Sequence, residues 1–301
     1  MKRALVVGDL FLVYSARVRG LPSAGENFLL SNVRTDVSGV GANMSLDLGK
    51  LGVDVSIYGA AGKDAAGEVV VDGLRRAGVG TRLVRRVDAP TGTFVILVDR
   101  RGERTMIGFR GASETVSLTR TLLSRDRFDW VHVSGYTLLN ARQPSHFAEL
   151  AAAAIGKGIP ISVDLEGLAQ AHRRIKLCGV RVFCNAFEYR EYFGRTRLTN
   201  DCGAESLIVK SGPRGSYFVG TDGPARVGGF ESKTVDSNGA GDAFNAGFIC
   251  AKLRGADDYE ACVWGNACGS LKAAREGPLL EAGADVVRAM VAQRLRATGY
   301  V

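Results

Sequence analysis

The stretch Asp236-Ser237-Asn238-Gly239-Ala240-Gly241-Asp242-Ala243-Phe244 leads through three small residues into a helical pattern whose opening turns, 243–251, are apolar on nearly every side. A helix that is hydrophobic all round is a buried one, so its first amides point into the protein or into a pocket. Those unpaired amides and the positive end of the helix dipole form a natural anion site. Glycine there lets a phosphate approach the backbone without a Cβ in the way. Asp242 is the odd component, because a carboxylate beside an anion site repels its ligand unless it contributes chemistry. Taking a proton from an attacking hydroxyl is such a contribution; simple helix capping is the alternative. The glycine loop, the second acid Asp236 and the buried helix together favour the chemical reading.

Working outward, short apolar runs at 4–7, 53–58, 130–133, 161–163, 180–184 and 207–210 read as buried strands. Helical patterns separate them at 44–50, 67–77, 145–157, 168–177 and 186–193, and the last third is helical at 242–253, 259–274 and 284–297. Such alternation predicts a mainly parallel sheet with helices on both faces. Two regions break it. Residues 27–33 and 93–110 look like strands of mixed polarity, the second a hairpin of 94–98 and 105–109 turning around Gly102. Antiparallel strands inserted in this way form either a flap over the active site or an edge extension of the sheet. No linker and no repeat divides the 301 residues, so one unit with a lid is expected.

Composition narrows the class. The chain carries 39 Lys+Arg against 31 Asp+Glu, a net charge of +8, and 39 glycines, nearly twice the usual ~7%. The positive surplus is scattered through pairs such as Arg75-Arg76, Arg85-Arg86, Arg100-Arg101 and Arg173-Arg174, without a nucleic-acid recognition module. It remains compatible with a small anionic substrate. No apolar run approaches the ~20 residues of a membrane span, and Gly8-Asp9 interrupts the signal-like start Lys2-Arg3. Six cysteines without a CxxC pair suit small buried thiols in a reducing cytoplasm. His132, His146 and His172 have no zinc-ligand spacing. Neither GxxxxGK[ST] nor GxGxxG occurs, which disfavours a P-loop enzyme and a nicotinamide oxidoreductase.

At these residues the sequence resembles the ribokinase (PfkB) family of carbohydrate and nucleoside kinases. Residues 236–242 are similar to the family's C-terminal signature, DTxGAGD. Ser38-Gly39-Val40-Gly41-Ala42-Asn43, continuing through Leu48-Gly49-Lys50-Leu51-Gly52 to Gly59 and Gly62-Lys63-Asp64, resembles its N-terminal one. Asn185-Ala186-Phe187-Glu188 is similar to the NxxE element, and Lys210-Ser211-Gly212-Pro213-Arg214-Gly215 to the nucleotide loop. These elements keep the family's order over nearly the whole chain.

The resemblance implies a ribokinase-like three-layer α/β/α sandwich over 1–301, with a mainly parallel sheet and a small β lid formed by about 11–37 and 90–110. It implies an ATP-dependent kinase that transfers the γ-phosphate to a hydroxyl of a sugar, sugar derivative or nucleoside. By that analogy Asp242 is the catalytic base, and the amides of Gly239, Ala240 and Gly241 form the anion hole. Asn185 and Glu188 would hold Mg2+ near the phosphates, largely through water, although the same pair reads equally as a helix-capping box. Lys210, Gly212, Gly215, Asp236 and Asn266 would border the nucleotide, Asn266 being otherwise an ordinary polar helix residue. The resemblance also implies K+ beside the anion hole, on backbone oxygens near 236–237 and 275–277, and leaves room for a homodimer through the lid.

Departures concern the acceptor. Many sugar kinases of the family carry an aspartate where this chain has Val13, which cannot accept a hydrogen bond. Ser38-Gly39 replaces their double glycine. These changes motivate the alternative of a catalytically weak ligand-binding or regulatory protein, against which the intact 239–242 loop stands. Asp9, Gly39, Gly41, Asn43 and Arg110 are the expected acceptor contacts, with Asp9 or Asp36 as a relocated carboxylate. Arg110 suits an acidic or phosphorylated acceptor, or is simply a solvated lid residue. Asp164, at a strand end, sits where α/β ligands gather and equally suits a turn cap.

Overall fold

A computed structural model describes residues 1–100, 103–124, 126–139, 142–171, 174–220 and 223–300. Along the chain run β1 (Arg3–Val7), β2 (Phe11–Arg17), β3 (Arg34–Ser38), α1 (Val40–Lys50), β4 (Asp54–Tyr58), β5 (Ala60–Gly62) and α2 (Ala65–Arg76). Next come β6 (Arg85–Val87), β7 (Thr91–Val98), β8 (Arg104–Gly111), β9 (Trp130–Val133), α3 (Gln143–Gly156), β10 (Ile161–Asp164), β11 (Arg181–Asn185) and α4 (Ala186–Phe193). The chain continues through β12 (Ser206–Lys210), β13 (Ser216–Gly220), β14 (Gly223–Val227), α5 (Ala240–Leu253), α6 (Asp258–Ala273) and α7 (Ala284–Ala297).

The main sheet has eight strands in the order β14-β13-β12-β11-β10-β9-β1-β4. From β12 to β4 it is parallel, and β13 and β14 close its edge antiparallel. The strand repeat of two sends alternate residues to opposite faces. Val6, Val55, Ile57, Phe183 and Ile208 face a cluster built from α1, α2, α5, α6 and α7. Leu5, Val7, Val131, Val133, Val163, Val182 and Leu207 face α3 and α4. The result is a sandwich of helices on both faces of a mostly parallel sheet, as the alternation of strand and helix patterns predicts. The order of strands reverses at β1, and the carboxyl ends of β1, β10, β11 and β12 therefore open on one crevice where ligands of such folds bind.

A second sheet, β3-β2-β7-β8, is separate from the first. It pairs β2 with β7 in parallel and β7 with β8 as the expected hairpin; Gly102 at its turn lies outside the described residues, as do Arg101, His172 and Arg173. Two expectations are corrected. Residues 27–33 form no strand: Leu29 is 95% exposed, Asn32 has a left-handed φ of 55°, and the extended chain begins only at Arg34. The described part of 168–177 is turns rather than helix. There Gly167 adopts φ 71° against the ring of Tyr136, and the 165–171 backbone closes isolated turns instead of a ladder. No helix among the described residues is long and apolar enough to cross a membrane.

The crevice depends on one close approach. The start of α1 crosses the end of β1 so tightly that a Cβ on Gly41 would stand 2.6 Å from the carbonyl carbon of Gly8. Gly41 is thus required by packing of α1 on β1, and it positions Asn43 one half-turn later. Replacing Gly41 by Ala removes an intrahelical glycine worth ~1 kcal/mol but overfills this contact. We expect a net loss of about 1–3 kcal/mol, read as a lower urea midpoint; an unchanged or higher midpoint would contradict the packing role.

Candidate active site

The loop before α5 is built as a cradle. Gly239 caps the helix with φ 75°, and a Cβ there would fall 1.8 Å from the carbonyl oxygen of Pro278, so only glycine fits. The amides of Gly241 and Asp242 make no hydrogen bond among the described residues, whereas the Ala240 amide donates to the Ser237 carbonyl at 3.2 Å. Of the expected anion-hole donors, Ala240 is thus held within its own turn, while the amides of Gly239 and Gly241, like that of Asp242, have no hydrogen-bond partner among the described residues.

Asp242 stands in the first turn of α5 and is 8% exposed. Its Oδ2 accepts from Asn43 Nδ2 at 3.0 Å, and Asn43 Oδ1 accepts from Ser38 Oγ at 3.1 Å. Ser38 therefore fixes the orientation of the Asn43 amide, a role that makes sense of its replacing a glycine. Burial lifts the Asp242 carboxyl to about 7, against the pull of the Asn43 hydrogen bond and the Lys210 charge and with a push from Asp164.

At the carboxyl end of β12, Lys210 Nζ donates to Asp164 Oδ2 at 2.8 Å and to Asn245 Oδ1 at 3.4 Å. Asn245 Nδ2 completes the triangle to Asp164 at 2.6 Å. Burial disfavours both charges, but Asp164 outweighs it for Lys210, whose ammonium is stabilised, and Lys210 and Asn245 hold Asp164 ionised. An added Cβ on Gly241 would lie 3.4 Å from Lys210 Nζ, so this ammonium flanks the cradle. Asn185 and Glu188 form a reciprocal capping box on α4: the Asn185 backbone amide donates to Glu188 Oε2 at 2.8 Å, and the Glu188 amide to Asn185 Oδ1 at 2.8 Å. Burial and the charge of Asp164 raise the Glu188 carboxyl to about 7. Glu166 is pushed well up by burial and by Asp164 and Asp242. The crevice thus gathers Asp164, Glu166 and Glu188 around one lysine. That shortage of positive charge fits a divalent cation arriving with phosphates, held through water by Glu188 and Asn185. No cluster of three or more metal-ligating side chains occurs among the described residues.

The nucleotide-side residues converge around 227–229. Asn266, on α6, donates to the carbonyls of Val227 and Gly228 at 3.3 Å each, and Gly215 packs directly against Val227 and Gly229. Gly212 faces open space at the same turn. Asp236 is a loop tie: its carboxylate accepts from the Asn238 and Gly277 amides at 2.9 and 3.0 Å and from Arg104 at 3.3 Å.

On the acceptor side, Arg110 grips Asp9 with two hydrogen bonds of 2.9 and 3.1 Å and donates to the Tyr136 carbonyl at 2.9 Å. Asp9, 2% exposed and raised by burial against the pull of Arg110, thus serves as a strut between β1 and β8. Gly39 packs on the Asp9 carbonyl. Between the small sheet and the 234–238 loop opens a cavity of about 610 Å³ lined by Arg17, Arg34, Arg104, Asp36, Val13 and Ser38, among others. The carbonyls of Asp236 and Arg275, where a monovalent cation was expected, both accept from Lys272 Nζ, at 2.7 and 3.3 Å. Two of the backbone oxygens at which K+ was expected are thus engaged by the Lys272 ammonium. Asn245 and Lys272 escaped sequence reasoning. Asn245 is legible in retrospect three residues after Asp242 on the same helix face; a lone lysine in a helix whose neighbours are small and apolar was the available signal for Lys272.

The model of the pfkB family carbohydrate kinases matches residues 1–282. Among curated proteins, an ATP-dependent ribose-1-phosphate kinase of Halopiger xanaduensis is 32% identical, covering 98% of this chain and 99% of that protein. A ribokinase of Arabidopsis thaliana is 27% identical over 89% of this chain and 75% of its own. Among solved structures, Arabidopsis thaliana ribokinase complexed with ribose and ATP has a TM-score of 0.80 at 22% identity, covering 97% of this chain and 99% of that one. Methanocaldococcus jannaschii nucleoside kinase has a TM-score of 0.79 at 19% identity, covering 97% and 99%.

Breaking the strut isolates a buried charge. Arg110→Met should cost up to about 3–5 kcal/mol, because Asp9, already raised by burial, is left buried without its partner and must take up a proton or keep an uncompensated charge. Asp9→Asn combined with Arg110→Met should recover much of that loss. Chemical denaturation of the parent and the two variants checks this, and an Arg110→Met midpoint equal to the parent's would rule the strut out.

Proposed function

Since the chain belongs to the pfkB family of carbohydrate kinases, and so transfers phosphate from ATP to a hydroxyl of a sugar, sugar derivative or nucleoside, we propose that its acceptor is a phosphorylated pentose. The observation that carries this reading is the cavity beside the 236–242 loop, into which Arg17, Arg34 and Arg104 converge while Val13 stands where family members place an aspartate. Each guanidinium has a carboxylate partner: Glu276 for Arg17, Asp36 for Arg34 and Asp236 for Arg104. These pairs are at least partly exposed, and such pairs are worth only ~0–1 kcal/mol. A phosphate that takes a bidentate, charge-assisted contact from one of them replaces a weak bond by a stronger one. The Halopiger relative named a ribose-1-phosphate kinase supports the same acceptor class.

In this reading Asp242 takes the proton of the attacking hydroxyl. Its raised pKa suits the task, since a base works best when its pKa lies near the operating pH. The Gly241 and Asp242 amides, the α5 dipole and Lys210 receive the negative charge of the transferring group; such preorganised donors are typically worth ~10²–10³ in rate each. Asn43 aims Asp242. Glu188 and Asn185 would hold Mg2+ through water, and the ion would supply charge neutralisation for the phosphates. Gly212, Gly215 and Asn266 shape the nucleotide's base end, and the small sheet acts as a lid. Nothing in the site favours a non-catalytic binding protein.

Kinetic and melting measurements on variants of Asp242 and of the cavity test this. Asp242→Asn should lower kcat by ~10²–10⁴ while ATP affinity changes only a few-fold, and kcat/KM of the parent should rise with pH to a plateau above about 7. The folded carboxyl titrates above its unfolded value of 3.8. Its contribution to stability is therefore full below about 4 and is lost as pH rises through about 7, so Asp242→Asn should melt higher than the parent at pH 8 and alike at pH 4. In an ADP-release panel, ribose 1-phosphate should exceed ribose and nucleosides in kcat/KM. Arg104→Ala should raise its KM at least tenfold with a smaller change for neutral acceptors. Equal or better turnover of ribose or a nucleoside would assign the cavity's carboxylates, Asp36 and Glu103, to neutral hydroxyls instead.

A further inference from the structure

Lys272, in the last turn of α6, has no exposed surface, yet among the described residues its ammonium hydrogen-bonds to no carboxylate: it donates to two main-chain carbonyls, those of Asp236 and Arg275, while the charges of the Asp236 and Asp47 carboxylates act on it without a hydrogen bond. Burying a cation this way is costly unless something gains from the charge. The two carbonyls belong to the two segments that shape the cradle. Asp236 begins the 236–242 loop, and Arg275 begins the turn carrying Gly277 and Pro278, the first holding the Asp236 carboxylate and the second touching Gly239. The same loop is further pinned at its amides, Val235 and Asp236 both donating to the Ala273 carbonyl at the end of α6. An ammonium held by two carbonyl oxygens is, in charge and size, comparable to a potassium or ammonium ion bound on the same oxygens. It differs in being tethered, so it cannot leave and needs no salt in the medium.

We propose that Lys272 is a built-in monovalent cation that positions the phosphate cradle of this kinase, making the enzyme independent of K+. Lys272 touches no reacting atom; it is a positioning residue that sets the path of 236–239 and adds a fixed positive charge behind the amides of Gly241 and Asp242. The inference rests on the reading of those amides as the phosphate site. It contrasts with Lys210, whose charge is balanced by Asp164.

The test compares the parent with Lys272→Met, and with Lys272→Gln should the first not fold. ADP release with ribose 1-phosphate, or whichever acceptor in the panel turns over, is followed in chlorides of tetramethylammonium, sodium, potassium and ammonium at equal ionic strength. Melting temperatures and binding of the non-hydrolysable analogue AMP-PNP are measured in the same salts. The parent should vary less than twofold. Lys272→Met should lose at least tenfold in kcat in tetramethylammonium, regain severalfold in potassium or ammonium, and melt several degrees higher in those two salts. Activation of the parent by potassium beyond threefold overturns the proposal, as does a Lys272→Met enzyme with unchanged kcat in tetramethylammonium. A loss that no cation restores also overturns it, leaving a packing role. Should the parent neither bind AMP-PNP nor release ADP in any salt, the reading of the phosphate site is what fails; the salt dependence of Lys272→Met melting then still decides whether that locus is a cation site.

Discussion

A carboxylate that takes a proton from an alcohol near neutral pH has to be held inside the protein without a full counter-charge. In the proposed role of general base, Asp242 would meet that condition through its neighbours rather than its own chemistry. Its hydrogen-bonding partner is the neutral amide of Asn43, and the nearest ammonium, on Lys210, is engaged by Asp164. An arginine in place of Asn43 would pull the carboxyl far down and leave a poor base. Burial does the opposite, and burial follows from α5 being apolar on nearly every side behind Asp242. The cost of an under-compensated buried charge is accepted locally, as is common where stability yields to activity.

The rest of the crevice repeats this logic with different signs. Asp164, Glu166 and Glu188 crowd three carboxyls at the carboxyl ends of β10 and β11; Lys210 and hydrogen bonds keep Asp164 ionised, while burial and the Asp164 charge push Glu166 and Glu188 up. Such a site is most stable when cation and phosphates arrive together, which couples occupancy to order in the loops that carry the chemistry. Asp9 and Arg110 are the counterexample. They form a bidentate pair linking the body to the small sheet, and the structure uses them for geometry. Lys210 and Lys272 form a similar contrast. An ammonium on a carboxylate cancels its field; an ammonium on carbonyls keeps it, and only the second kind can stand in for a free cation behind an anion site.

The main sheet was legible because its strands are buried on both faces and so are written as continuous apolar runs, such as 4–7 and 207–210. The buried capping box of Asn185 and Glu188 was legible too, since capping depends on residues three apart. The strand expected at 27–33 and the helix expected at 168–177 failed for a shared reason. Local composition permitted them, but the first has no sheet edge beside it and the second meets a left-handed glycine packed on Tyr136. Strands β13 and β14 went unread because they sit on an edge with alternating exposure and little apolar signal.

What the sequence determined by itself is the local grammar: a glycine loop opening a largely apolar helix with an acid in its first turn, and strands alternating with helices. These are short-range patterns, fixed by backbone sterics and by the period of burial. What only the tertiary structure decided is who faces whom. Asp9 meets Arg110 across 101 positions and Asn43 meets Asp242 across 199. Lys272 reaches the Asp236 carbonyl across 36. Those pairings set the pKa values and the charge of the site, and they arise from how the helices pack on the sheet, which no residue type announces on its own.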